Sequence, residues 1–373
     1  MHLEDFFKQI DSHCQQALPF VAYRKPDSEQ VKALLQEDIS LYNTSDFTES
    51  GFVFAPFDDN EVAVLIPLGH SKSISAQITE EDLQFNKTLD LIVEVHSDKE
   101  FHINLVQKGI NAIEKGTLKK VVLARTEILL HSDPNPIEIF KRLLANYPTA
   151  FVYCFHHPKV GIWLGATPET LLKMEGRRLF TTSLAGTQKF TGNMDVIWQE
   201  KERNEQQLVT HFIQDNLNTL ANHLQTSEPQ TVKAGNVLHL KTDISATIDV
   251  DQVGIKQILN VLHPTPAICG LPKESAKEFI LKNENYNREF YTGFLGELNF
   301  VVKNERSSNR RNIENRAYTS VKKVSNVFVN LRCMQIKKNE AILYVGGGIT
   351  SDSNPELEWE ETKNKAQTMK SVL

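Results

Sequence analysis

Apolar residues recur at helical spacing in several stretches of the chain and alternate, or run together, in many others. Over residues 3–17, Leu3, Phe6, Phe7 and Ile10 fall on one side, which predicts an amphipathic helix. From Asp98 to Lys115 the set Phe101, Leu105, Val106, Ile110 and Ile113 predicts a second, with Gly116 placed to end it. Asn135-Pro136 opens a third, running to about Asn146. A long helix with Gln199–Arg203 in its opening turns carries Leu208, Phe212, Leu217 and Leu220, and shorter helices are expected near 254–262 and 275–283. Strands are predicted at Phe20–Tyr23, Gly51–Pro56, Val62–Pro67, Lys119–Leu130, Ala150–Phe155 and Gly161–Leu164. Others follow at Arg178–Ser183, His239–Ile248, Phe290–Val302, Asn326–Ile336 and Ala341–Val345. The stretch Leu343–Lys365 closes the pattern. It reads as a short apolar strand, a turn at Gly346–Gly348 and an acidic helix starting near Pro355, capped by either Ser353 or Asn354. Strands mixed with helices, without a βαβ rhythm, a repeat or an obvious linker, predict one large α+β domain.

Composition narrows the class. A 373-residue chain with 40% hydrophobic and 24% charged residues is that of a soluble globular protein, and a net charge of −6 argues against a general nucleic-acid binder. Cys14, Cys154, Cys269 and Cys333 are far apart with no metal-ligand spacing, which suggests reduced thiols. The start of the chain lacks a leader pattern and no apolar run approaches a membrane span, so a cytoplasmic protein without a membrane partner is expected. One stretch departs from the average. Residues 303–323 hold seven Lys or Arg against Glu305 and Glu314, an exposed loop insertion or a basic docking patch.

Four places could carry chemistry, each with an ordinary alternative. Lys120, at the mouth of a buried strand, is either a surface lysine or, if desolvated, a general base. Glu169 follows the rigid turn Gly165-Ala-Thr-Pro, as a helix-start carboxylate or a proton donor. Arg332 interrupts an apolar strand and needs either a structural ion pair or a bound carboxylate. On the last helix Glu358, Glu361 and Lys365 share one face, and with Glu205 could supply oxygen ligands to a hard cation such as Mg²⁺.

Taken in order, these segments resemble one family, the isochorismate synthases among the chorismate-utilising enzymes. The pieces are Lys120-Val-Val-Leu-Ala-Arg125, Gly165–Glu169, Leu184-Ala-Gly-Thr187, Lys201–Glu205 and His239-Leu240, then Leu262-His-Pro-Thr-Pro-Ala267, Gly293, Arg332-Cys333 and Tyr344–Lys365. The resemblance runs from about residue 100 to the end. It implies the anthranilate synthase component I-like fold, with residues 1–97 as its N-terminal part and 98–373 as the chorismate-binding catalytic region. The implied reaction is Mg²⁺-dependent conversion of chorismate to isochorismate. Lys120 would be the base that activates water, Glu169 the acid at the departing hydroxyl, and Glu205 and Glu361 the metal ligands, with Glu358 joining them. Gly186, Thr187, Arg332, Gly346, Gly348 and Lys365 would surround the substrate carboxylates, with His239 and Tyr291 lining the pocket. Ala185 stands where aminodeoxychorismate synthases with a lysine nucleophile carry that residue. Salicylate synthases, which add pyruvate elimination, are the nearest competitor, and a catalytically silent scaffold docking through the basic loop is the reading from another class. No glutamine amidotransferase partner is implied, and monomer and homodimer are both compatible. Menaquinone biosynthesis is preferred over siderophore biosynthesis. Glu297-Leu298 in place of a frequent Gly-Trp, and Gln206 in place of a frequent His, depart from the pattern.

Overall fold

The computed structural model describes residues 1–79, 82, 93–96, 98–131, 134–234, 237–304 and 320–373. Two antiparallel sheets of ten strands each face one another. The first runs, in spatial order, Gly270–Leu271, Lys120–Leu130, Glu340–Ile349, Cys333–Lys337, Gly161–Thr167, Phe151–His157, Phe20–Arg24, Gln30–Gln36 and Ser71–Gln77, with Val93–His96 also on the Lys120–Leu130 strand. The second runs Ala221–Thr226, Val237–Ile248, Arg178–Lys189, Thr170–Glu175, Ser320–Val329, Phe294–Asn304, Gly51–Ala55, Ala63–Pro67 and Tyr42–Thr44, with Gln230–Ala234 also on Val237–Ile248.

Aromatic side chains fill the space between the sheets. Tyr23, Phe151, Tyr153 and Trp163 of the first meet Phe52, Phe54 and Phe328 of the second. Phe151 stacks on Phe328 at 4.3 Å between ring centroids. Burying each such ring is worth roughly 1.5–3 kcal/mol, so this seam is a main source of cohesion. Helices cover the outer faces. Leu3–Gln15, Pro136–Asn146 and Pro355–Lys370 close the first sheet, and Glu200–Leu217 with Ile255–Leu262 the second. Lys99–Glu114 and Lys273–Asn283 pack over Val121 and Leu123.

The mixed α+β architecture agrees with the sequence pattern, but three local expectations need correction. The segment Asn326–Ile336 is two strands in different sheets, because the chain crosses from one sheet to the other through Asn330–Arg332. Gly346–Gly348 is not a turn. The three glycines are the last part of the Glu340–Ile349 strand, paired in register with Val122–Ala124. The helix expected to carry Leu220 stops at Leu217, and Ala221–Thr226 is an edge strand. Asn354, rather than Ser353, caps the last helix, its side chain accepting from the Glu356 and Leu357 N–H groups. Arg306–Arg316 of the basic stretch lies outside the described residues. All four cysteines are free thiols, and no helix among the described residues is long and apolar enough to cross a membrane.

Candidate active site

Two chain crossings between the sheets build one wall of a deep cavity of about 130 Å³. Pro168-Glu169 links the strands Gly161–Thr167 and Thr170–Glu175, and Asn330–Arg332 links Ser320–Val329 to Cys333–Lys337. The crossings are laced together, since Ala166 N–H donates to the Arg332 carbonyl at 3.0 Å and Val329 N–H to the Glu169 carbonyl at 3.0 Å. Residues 163 positions apart in sequence are thereby set side by side. Arg332 sits at φ 46°, a left-handed backbone that a non-glycine residue adopts at some cost. Arg332 is half-buried, and no side chain among the described residues hydrogen-bonds to its guanidinium. Burial lowers its pKa, while Tyr291, Glu361 and Glu169 favour its charge. Glu169 is 4% exposed, and burial pushes its carboxyl up to about 7, against the opposing pull of Arg332 and Lys120.

The opposite wall comes from two helices and the glycine strand. Glu200–Leu217 presents Lys201, Glu202 and Glu205, and Pro355–Lys370 presents Glu358, Glu361 and Lys365. Lys365 Nζ lies 2.6 Å from Glu361 and donates to the Gly346 carbonyl at 2.9 Å. That ammonium holds the Glu361 carboxyl below its ordinary range. Glu358 accepts from Ser353 Oγ at 2.7 Å, and burial together with Glu361 raises its pKa. Lys120, on the strand beside the glycine strand, is 1% exposed and donates to Glu205 at 2.6 Å. Burial alone would raise the Glu205 carboxyl, but the Lys120 ammonium more than offsets this and lowers it. The surface-lysine alternative for Lys120 is therefore excluded, and so is a solvated face for Glu205.

The glycines are explained by this crowding. A Cβ at Gly348 would stand 2.9 Å from Glu205 Oε1 and 3.0 Å from Lys120 Cε, and one at Gly346 3.0 Å from Tyr291 Oη. The strand's other edge pairs with Cys333–Lys337 only as far as Tyr344, so its backbone is open along the glycine run, where the cavity lies. Gly186, at φ 73°, lets the Arg178–Lys189 strand pass against Glu202. Next to it Thr187 Oγ1 is 3.3 Å from His239 Nδ1, which donates to the Gly186 carbonyl at 2.9 Å. Burial, with Arg332 nearby, pushes His239 down to about 4, so the ring is neutral and its Nε2 is an acceptor. Tyr291 completes the wall, its phenol pushed up by burial.

Every residue expected at the site lies on this cavity except Lys120, whose ammonium is bonded to the lining residue Glu205 at 2.6 Å. Glu202 was missed. It stands three residues before Glu205, as Glu358 does before Glu361, and its Oε2 is buried without a hydrogen-bond partner. That repeated spacing was the available signal. Among the described residues, no three His, Cys, Asp or Glu side chains are arranged to grip a cation as they stand, since Lys120 and Lys365 occupy two of the four carboxylates. The donor set nevertheless fits Mg²⁺: hard oxygen ligands, one of them orphaned. The two departures from the family pattern do not line the cavity. Glu297 is buried against Tyr23, Lys25 and Lys32, and Gln206 bonds Thr210 and Thr242.

Known proteins agree with the architecture. Isochorismate synthase EntC of Escherichia coli K12 is 28% identical over 70% of this chain and 62% of its own length. MenF of the same organism is 30% identical over 74% of this chain and 61% of its own. The chain thus spans about three-fifths of the length of these curated relatives. The solved structure of MenF, the menaquinone-specific isochorismate synthase from Escherichia coli, superimposes with a TM-score of 0.78 at 22% identity, covering 97% of this chain and 90% of that one. Anthranilate synthase component I from Streptococcus pneumoniae superimposes with a TM-score of 0.65 at 16% identity over 94% and 92%. The fold is the one these enzymes share. The sequence matches the family described as chorismate binding enzyme over residues 60–305, and a second description of the same name over 317–371. With well over half its length inside the first match alone, the chain belongs to the chorismate binding enzyme family.

Proposed function

We propose that the protein converts chorismate to isochorismate with Mg²⁺. The observation that carries the reading is the opposition across one cavity of a buried, proton-retaining Glu169 near Arg332, which has no ion pair among the described residues, and a set of carboxylates of which Glu205 and Glu361 hold lysines. The names of relatives such as EntC, MenF and DhbC support the same reaction.

In this reading Lys120 Nζ takes a proton from a water whose oxygen bonds to ring C2. The ring double bonds shift, and the C4 hydroxyl departs as water with the proton held by Glu169. Glu169 suits the donor's part because it keeps its proton close to neutral pH. Lys120 can accept a proton only after losing its own, so its bond to Glu205 must loosen during the cycle. Glu205 and Glu361 would hold Mg²⁺, with Glu358 and Glu202 beside them, and the ion would neutralise and orient the ring carboxylate. Arg332 and Tyr291 face the remaining carboxylate, and the open edge at Gly346 and Gly348, with Gly186 and Thr187, offers backbone and hydroxyl partners. His239 Nε2 accepts from a substrate hydroxyl. Lys365 orders the carboxylates by holding Glu361.

Chorismate consumption by the purified protein, with and without Mg²⁺ and with products separated by chromatography, tests the proposal. Isochorismate formed only with Mg²⁺ is expected. Salicylate plus pyruvate would move the protein to the salicylate synthases, and no turnover would favour the scaffold. Growth rescue of strains lacking isochorismate for menaquinone or for siderophores tests the pathway, menaquinone being the expected one.

A further inference from the structure

A second cavity of about 330 Å³ lies behind the crossing wall and shares Pro168, Leu184 and Arg332 with the first. Its lining carries Lys233 and Lys241 with a single carboxylate, Asp27. Lys233 Nζ sits 3.9 Å over the Phe190 ring, and Lys241 is 2.9 Å from the half-exposed Asp243. Tyr147, also on this lining, acts on the Arg332 charge from one side as Tyr291 and Glu361 do from the other, which places the guanidinium between the two spaces. The alternative approach is of opposite sign. Where Lys201 is exposed, the first cavity carries Glu202, Glu205, Glu358 and Glu361. A dianion coming that way would meet Lys201 beside four carboxylates, of which only Glu205 and Glu361 are paired with lysines.

We propose that the dianionic substrate enters through the second cavity, drawn by Lys233 and Lys241 and handed to the active site by Arg332. The proposal rests on the functional reading above. A cleft lined by one sign of charge raises the on-rate of an oppositely charged ligand, and salt screens the effect. The two lysines touch nothing in the reacting site, so they act on encounter and not on chemistry.

The test is charge reversal at the passage. Lys233→Glu together with Lys241→Glu is expected to lower kcat/KM for chorismate about tenfold at low ionic strength, with kcat within twofold of wild type and the deficit closing at high salt. Val232→Trp, which narrows the same cavity without altering charge, is expected to lower kcat/KM at every salt concentration. Stopped-flow binding of chorismate to Glu169→Gln protein, which does not turn it over, should show the slower association directly. An association rate that ignores both lysine reversals overturns the passage, as does a fall in kcat equal to that in kcat/KM. Failure of the wild-type protein to bind or convert chorismate overturns the functional reading, and the passage with it.

Discussion

The two walls of the cavity solve opposite electrostatic problems. On the helix wall two carboxylates already have lysine partners: Glu205 faces Lys120, and Glu361 faces Lys365. On the crossing wall the answers are withheld. Arg332 has no hydrogen-bonded partner among the described residues, Glu169 tends to keep its proton, and the backbone at Arg332 is strained. A wall whose charges are paired can wait without cost and exchange a lysine for a stronger cation. A half-buried guanidinium without a carboxylate partner is costly until an anion arrives. In the proposed reading, strain and unmet charge mark the side where the substrate would bind, and paired carboxylates mark the side where a metal would be held.

The largest test of this contrast is removal of one proton carrier from each wall. Lys120→Ala and Glu169→Gln should each cut kcat by about 10²–10⁴-fold with circular dichroism unchanged. A variant within tenfold of wild type would free that residue of its role. Next, Arg332→Met should cost about 2–4 kcal/mol in kcat/KM, with Arg332→Lys recovering only part because a point charge does not replace a planar fork. Full activity in the lysine variant would mean that charge alone matters at the crossing.

A third test is thermodynamic. Glu169 has its pKa raised from 4.5 to about 7 in the folded protein. Between those values the native state binds more protons than the unfolded chain, so wild-type stability falls as pH rises. The loss is complete above pH 7 and amounts to about 3 kcal/mol. Glu169→Gln lacks this dependence and should gain on wild type by that amount between pH 4.5 and 7 in urea titrations. A parallel pair of curves would show that Glu169 is not proton-retaining. The smallest expected effect is on the other wall. Mg²⁺ at a hundred times its Kd should add about 2.7 kcal/mol to stability, an increment that Glu205→Gln loses and Arg332→Met keeps. If both variants lose it, the walls are not independent.

How much of this could be read from the chain depends on how local each feature is. The helices Pro136–Asn146 and Pro355–Lys370 announce themselves by an Asn cap, a proline at the first turn and apolar spacing. Strands Ser71–Gln77 and Gln30–Gln36 do not. In the first only Ile74 and Ala76 are buried, and its identity comes from pairing with Gln30–Gln36, which no local window contains. Thr170–Glu175 and Gln230–Ala234 escaped for the same reason. The glycine run misled because glycine is the ordinary residue of turns. Here it is demanded by Tyr291, Lys120 and Glu205, which arrive from three other parts of the chain. The residues proposed to react were legible only through their joint resemblance to a family. What resemblance does not convey is that Lys120 is buried against Glu205, and that Glu169 and Arg332 lie on two crossings laced together between the sheets.

Gly346–Gly348 has a consequence for how such a protein can change over time. Where a binding wall is made of side chains, exchanging one residue reshapes the ligand it accepts. Along this strand the wall is peptide backbone; an added carbon at 346 would meet the Leu123 carbonyl at 2.8 Å, and one at 348 would displace the ends of the Glu205 and Lys120 side chains. A side chain gained here would therefore move its neighbours before it reshaped the cavity, so a change in the accepted ring is expected to come more readily through side chains elsewhere on the lining.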